Sequence, residues 1–303
     1  MNAIVLALPG AELLAAQLVT TLGQRVDCEA GGLLLHRFPD GETCPRVTGE
    51  VSGRDVVLAA ELDQPDAKVL ALYLSACVLQ ELGARSVGLV LPYLPYMRQD
   101  ASFAPGQGVT SRHFARLLSG CCDWLVTVDP HLHRHHSLSD IYSVATEVVP
   151  SAPAIARWIA ANVARPVLIG PDEESAQWVG QVAAIAGCPY TVLSKVRSGD
   201  REVKVSLPDA AALAGYTPVL VDDIISTAHT MIAAVAQLRA LGLAAPACIG
   251  VHALFAGSAY AELEAAGAGS IVSCDTVRHA SNRIGMGAAL ADAAGRLLAR
   301  KRG

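Results

Sequence analysis

Charge is scarce in this chain: Asp, Glu, Lys and Arg together make up 17% of 303 residues, and the formal net charge is −5. A nucleic-acid partner calls for Lys and Arg clustered on one face to neutralise phosphates. No such cluster exists here, so none is expected. Aromatic residues are also few, at 5%, and the apolar fraction is swollen by alanine instead. The eight cysteines include no C-x-x-C pair, and Cys77, Cys248 and Cys274 lie inside apolar runs. They read as small buried hydrophobes in a reducing compartment, not as a disulfide frame or a zinc site. The N-terminal stretch MNAIVLALPG has no basic segment and no extended apolar core, so it does not read as a signal peptide. The strongest candidate for a membrane span, Leu243 to Ala261, carries no formal charge but contains Pro246, Gly250, His252, Gly257, Ser258 and Tyr260. Its centre, ACIGVHALF, reads as a buried strand running into a loop. The expectation is a cytoplasmic protein with no membrane partner. Both common nucleotide-binding signatures are missing as well: there is no G-x-x-x-x-G-K-[ST] and no G-x-G-x-x-G, because the GQG at Gly106 to Gly108 stops short. Any nucleotide must be held in another way.

What the chain does have is a regular alternation. Apolar runs recur at Val56 to Ala60, Ser86 to Leu91, Leu125 to Val128, Pro166 to Ile169, Pro218 to Val221, Ala247 to Val251 and Ser270 to Ser273, with helical stretches between them. Continuous rather than alternating hydrophobicity marks strands buried on both faces, so the chain reads as α/β with mostly parallel sheets flanked by helices. Most of the runs end in a polar residue: Glu61, Asp129, Asp172, Asp222, His252 and Asp275. In open parallel sheets ligands bind beyond the carboxyl ends of the strands, which makes these ends the place to look for a site. The length exceeds a usual single core and suits two domains of about 150 residues each. Pro150 and Pro153 interrupt the alternation ahead of a helix containing Trp158, placing the boundary near Glu147 to Ala156. The expected domains are residues 1–148 and 149–303, with a C-terminal helix from Gly287 to Arg300 able to pack back on the first.

The most informative segment is PVLVDDIISTAHT, Pro218 to Thr230. A buried strand enters two adjacent carboxylates and a short hydroxyl-bearing turn, after which Met231, Ile232, Val235, Leu238 and Leu241 recur at helical spacing. A strand, a tight loop and a helix N-terminus in that order make an anion site, because unpaired backbone N–H groups and the positive end of the helix dipole face the loop. Ser226, Thr227 and Thr230 can add donors. Asp222 and Asp223 cannot bind phosphate, so a polyol beside the phosphate, donating its hydroxyls to them, is the economical ligand. That describes a pentose phosphate.

VDDIISTAHT resembles the phosphoribosyl-binding loop of the type I phosphoribosyltransferase fold. Four further segments narrow the resemblance: Phe38-Pro39-Asp40-Gly41-Glu42, the stretch LPYLPYMRQD ending in Arg98, Gln99 and Asp100, TVDPHLH around His131, and GPDEES around Asp172. Together, in order along the chain, they resemble ribose-phosphate diphosphokinase, which makes phosphoribosyl diphosphate and AMP from ribose 5-phosphate and ATP for nucleotide biosynthesis. The resemblance implies two similar phosphoribosyltransferase-type domains, the first binding ATP and the second ribose 5-phosphate, with the active site between them. It implies that Arg98, Gln99 and His131 contact ATP while Phe38, Asp40 and Glu42 reach the adenine from a neighbouring subunit, so that the protein is a homo-oligomer. His131 and Asp172 match the family's residues associated with Mg²⁺, the implied cofactor. The hard oxygen donor Asp172 is the more natural of the two.

Asp222, Asp223, Ser226, Thr227, Ala228, His229 and Thr230 are then the ribose 5-phosphate site. Lys195 and Arg197, within the charged stretch LSKVRSGDREVKVS, match a mobile catalytic loop. Read on its own, that stretch is an exposed hairpin, and RQD an exposed helix-capping segment. Two features depart from the usual pattern. Ser226 and His229 stand where Asp and Gly are commonest, as in an archaeal-like branch of the family, and His at that position matters if the backbone needs φ > 0. After RQD come Ala101, Ser102 and Phe103 in place of further charge. His133, His135 and His136 read as a polar loop, with a structural zinc as the weaker option. Competing functions are a phosphoribosyltransferase, which shares the DD loop but gives no reason for the other motifs, and a non-catalytic homologue acting as partner subunit or ligand sensor.

Overall fold

The computed structural model describes residues 2–171, 175–198, 202–206 and 213–300. They form two compact units, Met1–Val149 with Met286–Gly303, and Pro150–Gly285.

The first unit opens with β1 (Asn2–Ala7), α1 (Glu12–Leu22) and β2 (Asp27–Ala30), followed by a hairpin of β3 (Gly32–Arg37) and β4 (Thr43–Thr48). It continues through β5 (Asp55–Ala59), α2 (Val69–Glu81), β6 (Ser86–Val90), α3 (Thr110–Ser119), β7 (Trp124–Val128) and β8 (Ala145–Val149). Its main sheet has six strands in the order β2-β1-β5-β6-β7-β8, and every neighbouring pair is parallel. All residues of β5, β6 and β7 are buried, as strands covered by helices on both faces must be. Close packing shows at Gly88, which pairs in register with Trp124. A Cβ there would lie 1.9 Å from the Trp124 ring, so only glycine lets the indole lie across β6.

The second unit repeats the plan. It contains α4 (Ala152–Asn162), β9 (Pro166–Gly170), α5 (Ala176–Ala186) and β10 (Tyr190–Val192), then a hairpin of β11 (Ser194–Ser198) and β12 (Glu202–Ser206). The chain goes on through β13 (Thr217–Ile225), α6 (His229–Ala240), β14 (Ala247–Ala253), α7 (Ala259–Ala265), β15 (Ser270–Cys274) and β16 (Asn282–Ile284). The six-stranded sheet runs β10-β9-β13-β14-β15-β16, again all parallel. Each unit thus has the same strand order, with one antiparallel hairpin inserted after its second strand. Leu243 to Ala261 holds the fully buried β14 and the loop after it. No helix among the described residues is long and apolar enough to cross a membrane.

The last helix, α8 (Gly287–Arg300), belongs to the first unit. It buries Leu290, Ala291, Ala293, Ala294, Leu297 and Leu298, while Asp292 pairs with Arg25 at 2.8 Å and Arg296 with Glu147. The second unit therefore ends at Gly285: the sequence reading ran its second domain to residue 303 but allowed this helix to pack back on the first domain, as it does.

Candidate active site

In the second unit the chain leaves β9 for β10 on one side and returns as β13 on the other, so β9 and β13 flank the point where the winding reverses. Ligands of open α/β sheets lie at such a crevice, beyond the carboxyl ends of the strands. β13 is longer than its apolar run suggests and carries Asp222 and Asp223 as strand residues up to Ile225. Asp222 lies opposite Gly250 of β14 and Ile224 opposite His252. Gly250 is needed here, because a Cβ would approach the Ile225 side chain to 2.7 Å. Each carboxylate turns forward: Asp222 Oδ1 accepts from the Asp223 N–H at 3.0 Å and Asp223 Oδ1 from the Ile224 N–H at 2.7 Å. Both acids are half-buried.

The turn that follows is braced from below. Ile225 O accepts from the N–H groups of Leu254 and Phe255, each at 3.0 Å, and Ser226 O from that of Ala256 at 3.0 Å. Ala228, with φ 58° and ψ 6°, precedes α6, and no side chain caps the helix. The left-handed residue is therefore Ala228, while His229 is the first helical residue, so glycine-like freedom is not required at position 229. The first N–H groups of a helix have no intrahelical partner, and those of α6 open beside Thr227, His229 and Thr230, all exposed. An L-residue in this region is strained by about 1–2 kcal/mol. Ala228→Gly should accordingly raise the unfolding free energy by about 0.5–1 kcal/mol after the entropy of the unfolded chain is deducted. Urea denaturation with an unchanged slope would show it. No rise in midpoint would mean that the strain is not there.

Behind the turn, Thr276 Oγ1 donates to Val251 O at 2.6 Å, which leaves it to accept from Nδ1 of the buried His252 at 2.9 Å. Phe255, Tyr260 and His279 pack as an aromatic trio, with ring centroids 4.6–5.1 Å apart. Burial lowers the His279 pKa, and its Nδ1 accepts from the Ser281 N–H.

Asp172 lies outside the described residues. Of Lys195 and Arg197 the backbone is described: they occupy alternate positions of β11, opposite Val205 and Val203 of β12. The hairpin reading of this stretch holds for the backbone.

In the first unit, β6 runs into Tyr93, Tyr96, Arg98 and Gln99. Tyr96 has φ 64°, its hydroxyl donates to Asp66, and burial followed by that carboxylate pushes its pKa up to about 12. Arg98 and Gln99 are exposed, but Asp100 is buried and α3 starts only at Thr110. The reading of RQD as an exposed helix cap thus fails: Asp100 accepts from Arg134 at 2.7 Å, which brings the RQD segment to the histidine-bearing loop. There His131 stacks on His133 with centroids 4.0 Å apart. Among the described residues no group of three or more His, Cys, Asp or Glu side chains is placed to hold a metal.

Phe38, Asp40 and Glu42 form the exposed tip of the β3–β4 hairpin. Phe38 N donates to Glu42 O at 2.9 Å, and Asp40 Oδ1 accepts from the Glu42 N–H at 3.3 Å.

Among the described residues, six non-glycine residues have positive φ: Gln64, Tyr96, Asp129, Arg165, Ala228 and Phe255. Arg165 directly precedes β9, at the opposite end of its sheet, whereas the other five follow the carboxyl ends of β5, β6, β7, β13 and β14, the edge where strain of this kind accompanies functional sites.

The family models divide the chain at the same place. One described as the N-terminal domain of ribose phosphate pyrophosphokinase matches residues 5–121, and a phosphoribosyl transferase domain matches residues 148–288. A ribose-phosphate pyrophosphokinase from Methanopyrus kandleri is 34% identical over 274 residues, spanning 90% of this chain and 93% of the relative. The chain belongs to the ribose-phosphate pyrophosphokinase family. One from Halobacterium salinarum is 33% identical over 281 residues, covering 92% of this chain and 96% of the relative. The crystal structure of phosphoribosylpyrophosphate synthetase from Mycobacterium smegmatis superposes with a TM-score of 0.85, covering 99% of this chain and 100% of that one at 21% identity, and so shares the fold. Family membership makes this chain a transferase, as the five motifs in register implied. Reading the motifs alone misses Gly250, the left-handed Ala228, and the Asp66–Tyr96 and Asp100–Arg134 pairs. Each of these depends on backbone geometry or on a partner distant in sequence.

Proposed function

We propose that this protein transfers the β,γ-diphosphoryl group of Mg-ATP to the anomeric hydroxyl of ribose 5-phosphate, giving phosphoribosyl diphosphate and AMP for nucleotide biosynthesis in the cytoplasm. The observation that carries this reading is the strand-to-helix turn at the β9/β13 crevice, where paired carboxylates stand directly before an uncapped helix N-terminus. The N–H groups and hydroxyls of Ser226, Thr227, Ala228, His229 and Thr230 suit the 5-phosphate. Asp222 and Asp223 suit the ribose hydroxyls, as acceptors that repel a second anion.

The first unit is the ATP-binding domain, with Arg98, Gln99 and His131 as its contacts. The exposed hairpin tip supports a role for Phe38, Asp40 and Glu42 outside their own subunit, hence a homo-oligomer whose adenine site is shared. Lys195 and Arg197 stabilise charge on the migrating group, the main thing a protein can do for phosphoryl-type transfer. Asp172 and His131 are the residues that would hold Mg²⁺, an ion that takes one or two carboxylates and fills its shell with phosphate oxygens and water. When bound, the ion neutralises charge on the triphosphate. Release of AMP from ATP that requires both ribose 5-phosphate and Mg²⁺, followed by chromatography, tests the proposal. Release independent of the sugar phosphate contradicts it.

A further inference from the structure

The turn that presents Arg98 and Gln99 is held at both ends by side chains outside the RQD motif. On its amino side Tyr96 is tied to Asp66, and Tyr96 O accepts from the Gln99 N–H at 3.0 Å. On its carboxyl side stands Asp100, whose side chain is 2% exposed. Arg134 Nη1 donates to Asp100 Oδ1 at 2.7 Å, while Oδ2 is buried without a hydrogen-bond partner among the described residues. The Arg134 side chain is itself 56% exposed, and its guanidinium carbon lies 5.5 Å from the centroid of the Phe103 ring. One cation from the loop after β7 thus neutralises a buried carboxylate and covers the first aromatic residue beyond it.

We infer that Arg134 is a positioning residue for the nucleotide: by supplying the counter-charge that keeps Asp100 buried, it fixes the turn from which Arg98 and Gln99 reach ATP. A buried carboxylate stripped of its partner is strongly unfavourable. Without Arg134 the cheapest relief is for Asp100 to swing into water. That movement would drag Gln99, whose carbonyl accepts from the Ser111 N–H at 3.2 Å, and would loosen the start of α3 with it. The core of the unit is untouched, because Arg134 is a surface residue. Lysine at this position would keep the charge but lose the planar fork and the stacking on Phe103.

This inference rests on the assignment of Arg98 and Gln99 to ATP, and the experiment separates the two. Steady-state KM values for ATP and for ribose 5-phosphate are measured for wild type, Arg134→Ala, Arg134→Lys, Arg98→Ala and the double variant Asp100→Asn/Arg134→Ala. Arg134→Ala should raise KM for ATP by about ten- to a hundredfold, the scale of a displaced binding group, with KM for ribose 5-phosphate within about twofold. Arg134→Lys should fall between it and wild type. The double variant should return KM for ATP to within about threefold of wild type, because a neutral amide needs no counter-charge. An unchanged KM for ATP in Arg134→Ala, or in Arg134→Lys should the alanine variant fail to fold, overturns the inference. So does a double variant no better than Arg134→Ala. An unchanged KM for ATP in Arg98→Ala overturns instead the assignment on which the inference stands.

Discussion

Lys195→Ala should lower kcat by about a hundredfold or more while leaving KM for ribose 5-phosphate within about twofold, because the lost cation acts on charge that develops only during transfer. The β11–β12 hairpin supplies the structural argument. Lys195 and Arg197 occupy alternate positions of one short strand, in register with Val205 and Val203. Both are proposed to act on the same migrating group. Their effects should then be far from additive, with Lys195→Ala/Arg197→Ala little slower than the worse single variant. Initial rates at saturating ATP and ribose 5-phosphate give the comparison. A Lys195→Ala enzyme within about threefold of wild-type kcat would remove the residue from the mechanism.

The hairpin also marks how far the sequence could be read. Its charge, unusual in a charge-poor chain, announced a hairpin, which the backbone pairing bears out, and the β3–β4 hairpin occupies the equivalent place in the first unit. Seven of the eight central strands were legible because both of their faces are buried and hydrophobicity therefore runs unbroken; the eighth, β1, carries the same signal in NAIVLA but was weighed only as a signal-peptide candidate. The edge strands β2, β8, β10 and β16 were not legible, since each is partly exposed and carries no continuous apolar run. β13 outran its hydrophobic signal through Asp222 to Ile225 because ladder pairing with β14 continues past the last aliphatic residue of the run. A missing glycine drew attention to His229, yet the turn places its left-handed residue one position earlier, at Ala228. Arg134 was invisible for a different reason. Its partner Asp100 is 34 residues away, and inside HLHRHH an arginine looks like one more polar loop residue. The helix from Gly287 to Arg300 was legible from its pattern, and its return to the first unit, open in the sequence, is made by packing against α1 and β8.

The paired acids offer the second large effect: Asp222→Asn and Asp223→Asn should each weaken ribose 5-phosphate binding by about 10- to 100-fold, the worth of a hydrogen bond to a charged group. ATP affinity should stay within about twofold. Successive strand residues face opposite sides of a sheet, which by itself would part the two carboxylates. The local bonding offsets this, since each Oδ1 bends forward to the next backbone N–H and so brings both groups to the carboxyl edge of β13. Asparagine keeps an Oδ1 acceptor for that N–H, so the backbone should hold its course. What changes is the remaining oxygen: it becomes an NH₂ donor, which cannot accept a sugar hydroxyl and meets the hydroxyl hydrogen with one of its own. Calorimetric titration of each ligand separately reads the result. If ATP binding fell while ribose 5-phosphate bound normally, the turn at the β9/β13 crevice would have to be reassigned to the nucleotide, and the uncapped N-terminus of α6 would then face a phosphate of ATP instead of the 5-phosphate.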